Sequence, residues 1–199
     1  IQATTRAFAF NSLIAHGEKT FMEEELLLAD ENFFEFFSYP LASGNAATVL
    51  QHQNNFVISK SFAKKYFGYS DPIGKTLRID DTYDVVVTGI LAELPGNTHL
   101  QFDAVGSIGL VANESWFNDW WGNSFNTYVK VQQTDVAFLN ASFPDFMEKY
   151  FGDDFARVGN RIGLQLEPLH EIYFNYDTRY DRNIAHGDKR YIFIFGSIG

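Results

Sequence analysis

A mixed α+β fold is what this sequence predicts, on three observations. Residues 55–103 carry in succession the local signals of a strand, a capped helix, a tight turn and a hairpin. Residues 126–167 read as strand, helix, strand at the spacing of a βαβ-like unit. Aromatic residues make up 17% of the chain, with Phe 21 and Tyr 10 among them, so ring packing is expected to dominate the interior or an interface. The 199 residues suffice for one domain or two small ones.

Residues 1–20 give weak signals, an apolar patch at Phe8, Phe10, Leu13 and Ile14 and a turn at His16-Gly17, compatible with a short helix or strand. Phe21 to Ala29 suits either helix or strand, and a strand entering the core is favoured. Asp30 is placed to cap a short helix through Phe37, which Pro40 prevents from continuing. Its rings Phe33, Phe34, Phe36 and Phe37 cannot all face one side. A loop from Ala42 to Thr48 leads into the strand Phe56 to Ile58.

Ser59 is the expected N-cap of the next helix. Phe62, Ala63, Tyr66 and Phe67 form its apolar face, Lys64 and Lys65 suit its C-terminal dipole, and Gly68 offers a left-handed C-cap. In Asp71-Pro72-Ile73-Gly74, proline presets φ and glycine permits a positive one, so a turn follows. Leu77 and Ile79 alternate with polar residues, Asp80-Asp81 makes the tip, and Tyr83 to Leu91 returns as the second strand of a hairpin. Pro95-Gly96-Asn97 ends that strand, after which Leu100, Phe102 and Ala104 alternate as another.

Residues 113–125 hold Trp116, Trp120 and Trp121, either a partner-binding patch, since tryptophan is favoured at hot spots, or an aromatic loop tucked over a small core. Asn126 to Val131 alternates as a strand, Asp135 caps a helical region through about Tyr150 that Pro144 interrupts or kinks, and Arg161 to Glu167 alternates again. Residues 175–190 are polar and charged, and read as solvent-exposed. Tyr191 to Gly199 is apolar and uncharged, and reads as a buried strand or as the first turns of a membrane helix, which needs about 20 residues.

A formal charge of −10, with no basic stripe, argues against a nucleic-acid partner. Zero cysteines exclude disulfides, thiolate metal sites and a cysteine nucleophile. His16, His52, His99, His170 and His186 lack the spacing of a helix-borne zinc site, and no nucleophile elbow, Walker A loop or dinucleotide fingerprint is present. The carboxylate pairs Asp80-Asp81, Asp153-Asp154 and Asp177/Asp181 read as solvated turn residues, and Asp177, Asp181 and Asp188 lack EF-hand spacing. No metal, cofactor or catalytic residue is expected.

The strings FVISKSFAKKYFG, DPIGKTLRI and YDVVVTGILAELPGNTHLQFD, with ENFFEFFSYPLASGN upstream and LEPLHEIYF and GDKRYIFIFGSIG downstream, resemble the extracytoplasmic core domain of MacB/FtsX-like ABC transporter permeases, particularly the Bacteroidetes-type members. The likeness covers residues 31–103 and the last 35 or so; residues 106–161 match in layout alone. It marks Ser59, Gly68, Asp71, Pro72, Gly74, Pro95, Asn97 and Phe102 as structural positions of the motif. It implies a porter-like α/β subdomain of residues 1–50 and 107–190, an inserted subdomain of residues 51–106, and the start of a membrane helix at 191–199.

The resemblance further implies a non-catalytic domain in the periplasm, on a protein of the cell inner membrane. It would couple ATP-driven motion to a partner or cargo, with an ATPase subunit on a separate chain, a second permease copy, and a periplasmic adaptor or lipoprotein as partners. The alternatives are a free-standing extracytoplasmic ligand-binding or sensor domain and, last, a hydrolase built on a carboxylate pair.

Overall fold

A computed structural model of the chain describes residues 1–94, 98–119, 124–159 and 161–172. Contacts divide it into two compact units: residues 4–128 are the main part of one, and residues 1–3 and 129–172 the described part of the other.

In the larger unit, β1 (Ala3–His16) and β2 (Lys19–Ala29) form a long antiparallel hairpin that turns at Gly17, φ 60°. A bulge between Phe10 and Ser12 breaks its register. Next come α1 (Phe33–Phe37), β3 (Leu41–Ser43), β4 (Asn55–Ile58) and α2 (Lys60–Phe67). The hairpin β5 (Thr76–Ile79) and β6 (Tyr83–Leu91), then β7 (Ala104–Ser107), complete the set. β8 (Asn126–Lys130) lies beside β1, and β3 pairs with β6.

The pairings close on themselves. β1 is antiparallel to β2, β2 parallel to β7, β7 antiparallel to β4, β4 parallel to β6, β6 antiparallel to β5, and β5 returns to β1 through Ile14↔Ile79 and Ala15↔Arg78. Six strands therefore make a small closed sheet, a solution that removes exposed strand edges. One apolar cluster draws on all six: Ile14, Leu26, Ala104, Phe56 and Ile58, Val85 and Val87, Leu77 and Ile79. A face common to every strand of a closed ring is its inside.

Phe62, Tyr66 and Phe67 of α2 belong to this cluster, so the helix plugs the ring. Phe10 and Leu110 also pack on a smaller cluster of Leu28, Ile108 and Val111 that continues it. The opposite face carries α1 and a ring-rich core of Phe33, Phe34, Tyr39, Leu100, Phe102 and Tyr128. The inside is tight: a Cβ on Gly106 would stand 2.8 Å from Leu28 Cδ2 and 3.0 Å from the Phe56 ring.

In the second unit α3 (Val136–Val158) buries Met147, Phe151 and Phe155 at four-residue spacing, followed by α4 (Leu169–Ile172).

Several local expectations are corrected. The weak opening segment is a strand of 14 residues. Asp30 does not cap α1: its carboxylate takes Arg6 in a two-pronged bond, 3.1 and 2.8 Å, and Asn32 occupies the cap position without a side-chain bond to the helix. Gly68 has positive φ, 64°, but with ψ −118° it is not in the left-handed helical well. Leu100 and Phe102 precede β7 rather than forming it, and both fill the ring-rich core.

The helix from Asp135 does not end near Tyr150. It runs to Val158 because Phe151 and Phe155 prolong the buried stripe begun by Met147, and Asp154–Arg157 bridges one turn. Arg161 to Glu167 forms no strand: Ile162 and Leu164 are exposed, and the Leu166 N–H donates to Asn140 Oδ1 at 2.8 Å instead of to a ladder. The expected βαβ unit is therefore not present among the described residues. Residues 51–106 supply β4 to β7, and β1 and β2 complete their sheet from outside that segment.

Candidate functional site

The described family-motif positions gather around the two ends of α2. At its start, the Ser59 Oγ accepts from the Phe62 N–H at 3.0 Å, the N-cap that the sequence predicts. The same hydroxyl donates to Asp103 Oδ1 at 2.7 Å, Ser61 Oγ donates to that oxygen at 3.2 Å, and the Ser59 N–H reaches the Asp103 carbonyl at 2.7 Å. Asp103 thus fastens α2 to the approach of β7, while its own N–H donates to the Glu25 carbonyl of β2 at 2.8 Å. Sequence reasoning missed Asp103; the only signal was a carboxylate directly before a buried strand.

Beside this node lies a cavity of about 340 Å³ lined by Ser59, Lys60, Ser61, Leu91, Leu94 and Phe102, among others. Phe102 itself is buried, with its ring 5.9 Å from Phe33 and 5.5 Å from Tyr39. Pro95 and Asn97 lie outside the described residues.

At the other end of α2 the Lys19 ammonium donates to the Lys65 and Tyr66 carbonyls, 2.9 and 2.8 Å, a cation on the negative end of the helix. Asp71 Oδ1 accepts from the Ile73 N–H at 3.0 Å, the Lys75 N–H donates to the Pro72 carbonyl at 3.0 Å, and Gly74 has φ 77°, so the turn forms as its residues require. The Asp80-Asp81 tip has positive φ at both residues, 47° and 55°. Asp80 accepts from Ser12 Oγ and from the Leu13 N–H, and its own N–H donates to the Leu13 carbonyl at 2.9 Å. Arg78 lies 4.0 Å from Asp81.

Glu23 and His99 are among the buried polar side chains. Glu23 is buried and accepts from the Tyr66 hydroxyl at 2.6 Å and the Lys65 ammonium at 2.7 Å. Burial, then this bond, raise the Tyr66 phenol well above its ordinary range. His99 is buried against Phe37 and Tyr128, 3.1 Å from the Tyr128 hydroxyl, and burial lowers its pKa to about 4.

Trp116 is half-buried and tilts onto Phe8 at 5.3 Å and stacks on Phe125 at 6.1 Å. Arg6, held by Asp30, lies over the Phe117 and Phe125 rings at 5.5 and 5.4 Å. Trp116 is thus part of an aromatic loop packed on the strands; Trp120 and Trp121 lie outside the described residues.

Asp80 is engaged by β1, Asp154 pairs with Arg157, and Asp177, Asp181 and Asp188 lie outside the described residues. Among the described residues no group of three or more His, Asp or Glu side chains is placed to hold a metal ion, and no helix is long and apolar enough to cross a membrane. The segment 191–199 lies outside them. What the arrangement does with its hydroxyls and carboxylates is join strands to a helix.

The sequence profile described as MacB-like periplasmic core domain matches residues 2–143. No curated protein matches the chain in sequence. Among solved structures, a domain assigned to a permease protein from Porphyromonas gingivalis superposes with a TM-score of 0.67 at 24% identity, covering 84% of this chain and 76% of its own. The periplasmic region of MacB from Actinobacillus actinomycetemcomitans gives 0.54 at 20% identity, covering 82% and 78%. The extracellular domain of the noncanonic ABC-type transporter YknZ from Gram-positive bacteria gives 0.56 at 14% identity, covering 76% and 77%.

Proposed function

Because the chain belongs to the MacB-like periplasmic core domain family, we propose that it is the extracytoplasmic domain of an ABC transporter permease subunit, transmitting ATP-driven motion to a partner or cargo outside the cytoplasmic membrane. The profile match over residues 2–143 carries this reading. The bonding supports a non-catalytic role, since the described polar side chains of the motif, Ser59 and Asp71, and Asp103 beside them are occupied in caps, turns and strand junctions. ATP hydrolysis then belongs to a separate chain, with a second permease copy and a periplasmic adaptor or lipoprotein as further partners, and the protein resides in the inner membrane.

The test uses the complete gene product. Expected are apolar spans of about 20 residues flanking this domain, protease access to the domain from the periplasmic side, and co-purification with an ATPase. A complete reading frame without such spans, or a domain protected until the inner membrane is opened, overturns the reading.

A further inference from the structure

β4 lies between β6 and β7, parallel to the first and antiparallel to the second, and it stops at Ile58, where Ser59 turns the chain into α2. Its neighbours run on. β6 reaches Leu91 and the chain continues past it to Leu94, while on the other side Phe102 and Asp103 lead into β7. Adjacent strands stand about 4.8 Å apart, so two strands that flank a missing one leave about twice that distance, the width of one extended chain. The cavity of about 340 Å³ fills this place: Ser59 and Lys60 stand at the end where β4 turns away, Glu93 and Leu94 on one wall, Phe102 and Asp103 on the other.

The wall beyond β6 turns backbone groups towards the slot. Ile90 pairs with Ile58 of β4 and with Ser43 of β3, so β3 and β4 hold opposite edges of β6. The Ala92 N–H donates to the Pro40 carbonyl at 3.1 Å, which carries the β3 edge one residue past Leu91. Peptide groups alternate between the two edges of an extended chain, so those of Glu93 face the edge that β4 has left. Glu93 and Leu94 make no hydrogen bond among the described residues. The floor is apolar, with Leu91 and Phe102 buried and Leu94 packed against the ring-rich core. The rim carries exposed side chains of both signs, Lys60 and Glu93.

We propose that this slot takes an extended segment of a partner protein as an added strand in the line of β4. An unpaired strand edge is a template for another chain, and main-chain bonds to it supply affinity while alternate side chains supply specificity. One side chain of the segment faces Leu91, Leu94 and Phe102 and is apolar; its neighbours on either side point away and are polar. Opposite charges at the rim favour a segment that is neutral overall over an acidic or a basic one.

The experiment titrates the 199-residue chain with a pentapeptide of alternating threonine and valine, blocked at both ends, and follows backbone amide resonances. Expected are shifts centred on Glu93 and Leu94 that saturate with a Kd of about 1 mM. The same peptide with every amide N-methylated keeps its side chains but loses its donors, and is expected to bind at least about tenfold more weakly. Glu93→Pro deletes an N–H that has no partner among the described residues, and is expected to weaken binding about tenfold with an unchanged circular dichroism spectrum. Should the proline disturb the fold, Leu94→Ser at the apolar floor is expected to weaken binding instead. No shift up to about 10 mM peptide, shifts centred elsewhere, equal binding of the N-methylated peptide, or full binding by both variants overturns the proposal. None of these outcomes bears on the permease reading, which the flanking spans of the whole gene product decide.

Discussion

Ser59 shows how much one hydroxyl can do. It caps α2 and also holds Asp103, so its loss frees a helix end and the link to β7 together. Ser59→Ala is expected to cost about 1–2 kcal/mol, read as a lower urea midpoint with an unchanged slope. His99 makes stability depend on pH. Its folded pKa of about 4 lies below the ordinary 6.5, so the unfolded chain takes up the proton more readily. Its contribution is whole above about pH 6.5 and falls away as pH drops towards 4. The loss reaches about 3 kcal/mol, and the difference between urea midpoints at neutral and acid pH should shrink in His99→Phe. The cap was legible because Ser, apolar face and Gly68 stand in order. Asp103 and Glu23 were not, because their partners are 44 and 43 residues away.

At the scale of elements, the β5–β6 hairpin was read with its tip in place, since alternation and an Asp-Asp turn are local signals. Both tip residues hold positive φ, yet their side chains differ in use. Asp81→Gly relieves a strained backbone at an exposed side chain and is expected to stabilise by about 0.5–1 kcal/mol. Asp80→Ala removes the bonds to Ser12 and Leu13 and is expected to destabilise by about 1–3 kcal/mol. Thermal unfolding of the two variants should shift in opposite directions. Arg161 to Glu167 alternates without forming a strand, because alternation specifies which side chains share a face, whereas a strand exists only where a neighbour supplies hydrogen bonds.

For the whole molecule, the mixed class was legible from the run of local signals, whereas closure was not. Ring closure depends on β2 meeting β7 and β1 meeting β5 across long separations, and no local pattern encodes those meetings. They have a consequence for the expected division of the chain. A fragment of residues 51–106 lacks the two strands that complete the sheet, and is expected to stay unfolded alone by circular dichroism and dispersion of amide resonances. A fragment of residues 4–128, the main part of the larger unit, is expected to fold. Cooperative unfolding of 51–106 on its own would show that it needs neither strand.

The sheet is also joined unequally around its circumference. β1 grips β2 from Ala7↔Ala29 to His16↔Lys19, but it grips β5 through Ile14↔Ile79 and Ala15↔Arg78, with Asp80 fastened beside them. Under mechanical load the ring is therefore a split washer with a small clasp. Tension that draws β1 away from β5 meets a few bonds, whereas tension that draws β1 away from β2 must break the much longer ladder from Ala7↔Ala29 to His16↔Lys19. A pull through this domain is transmitted stiffly in one direction and yields in the other.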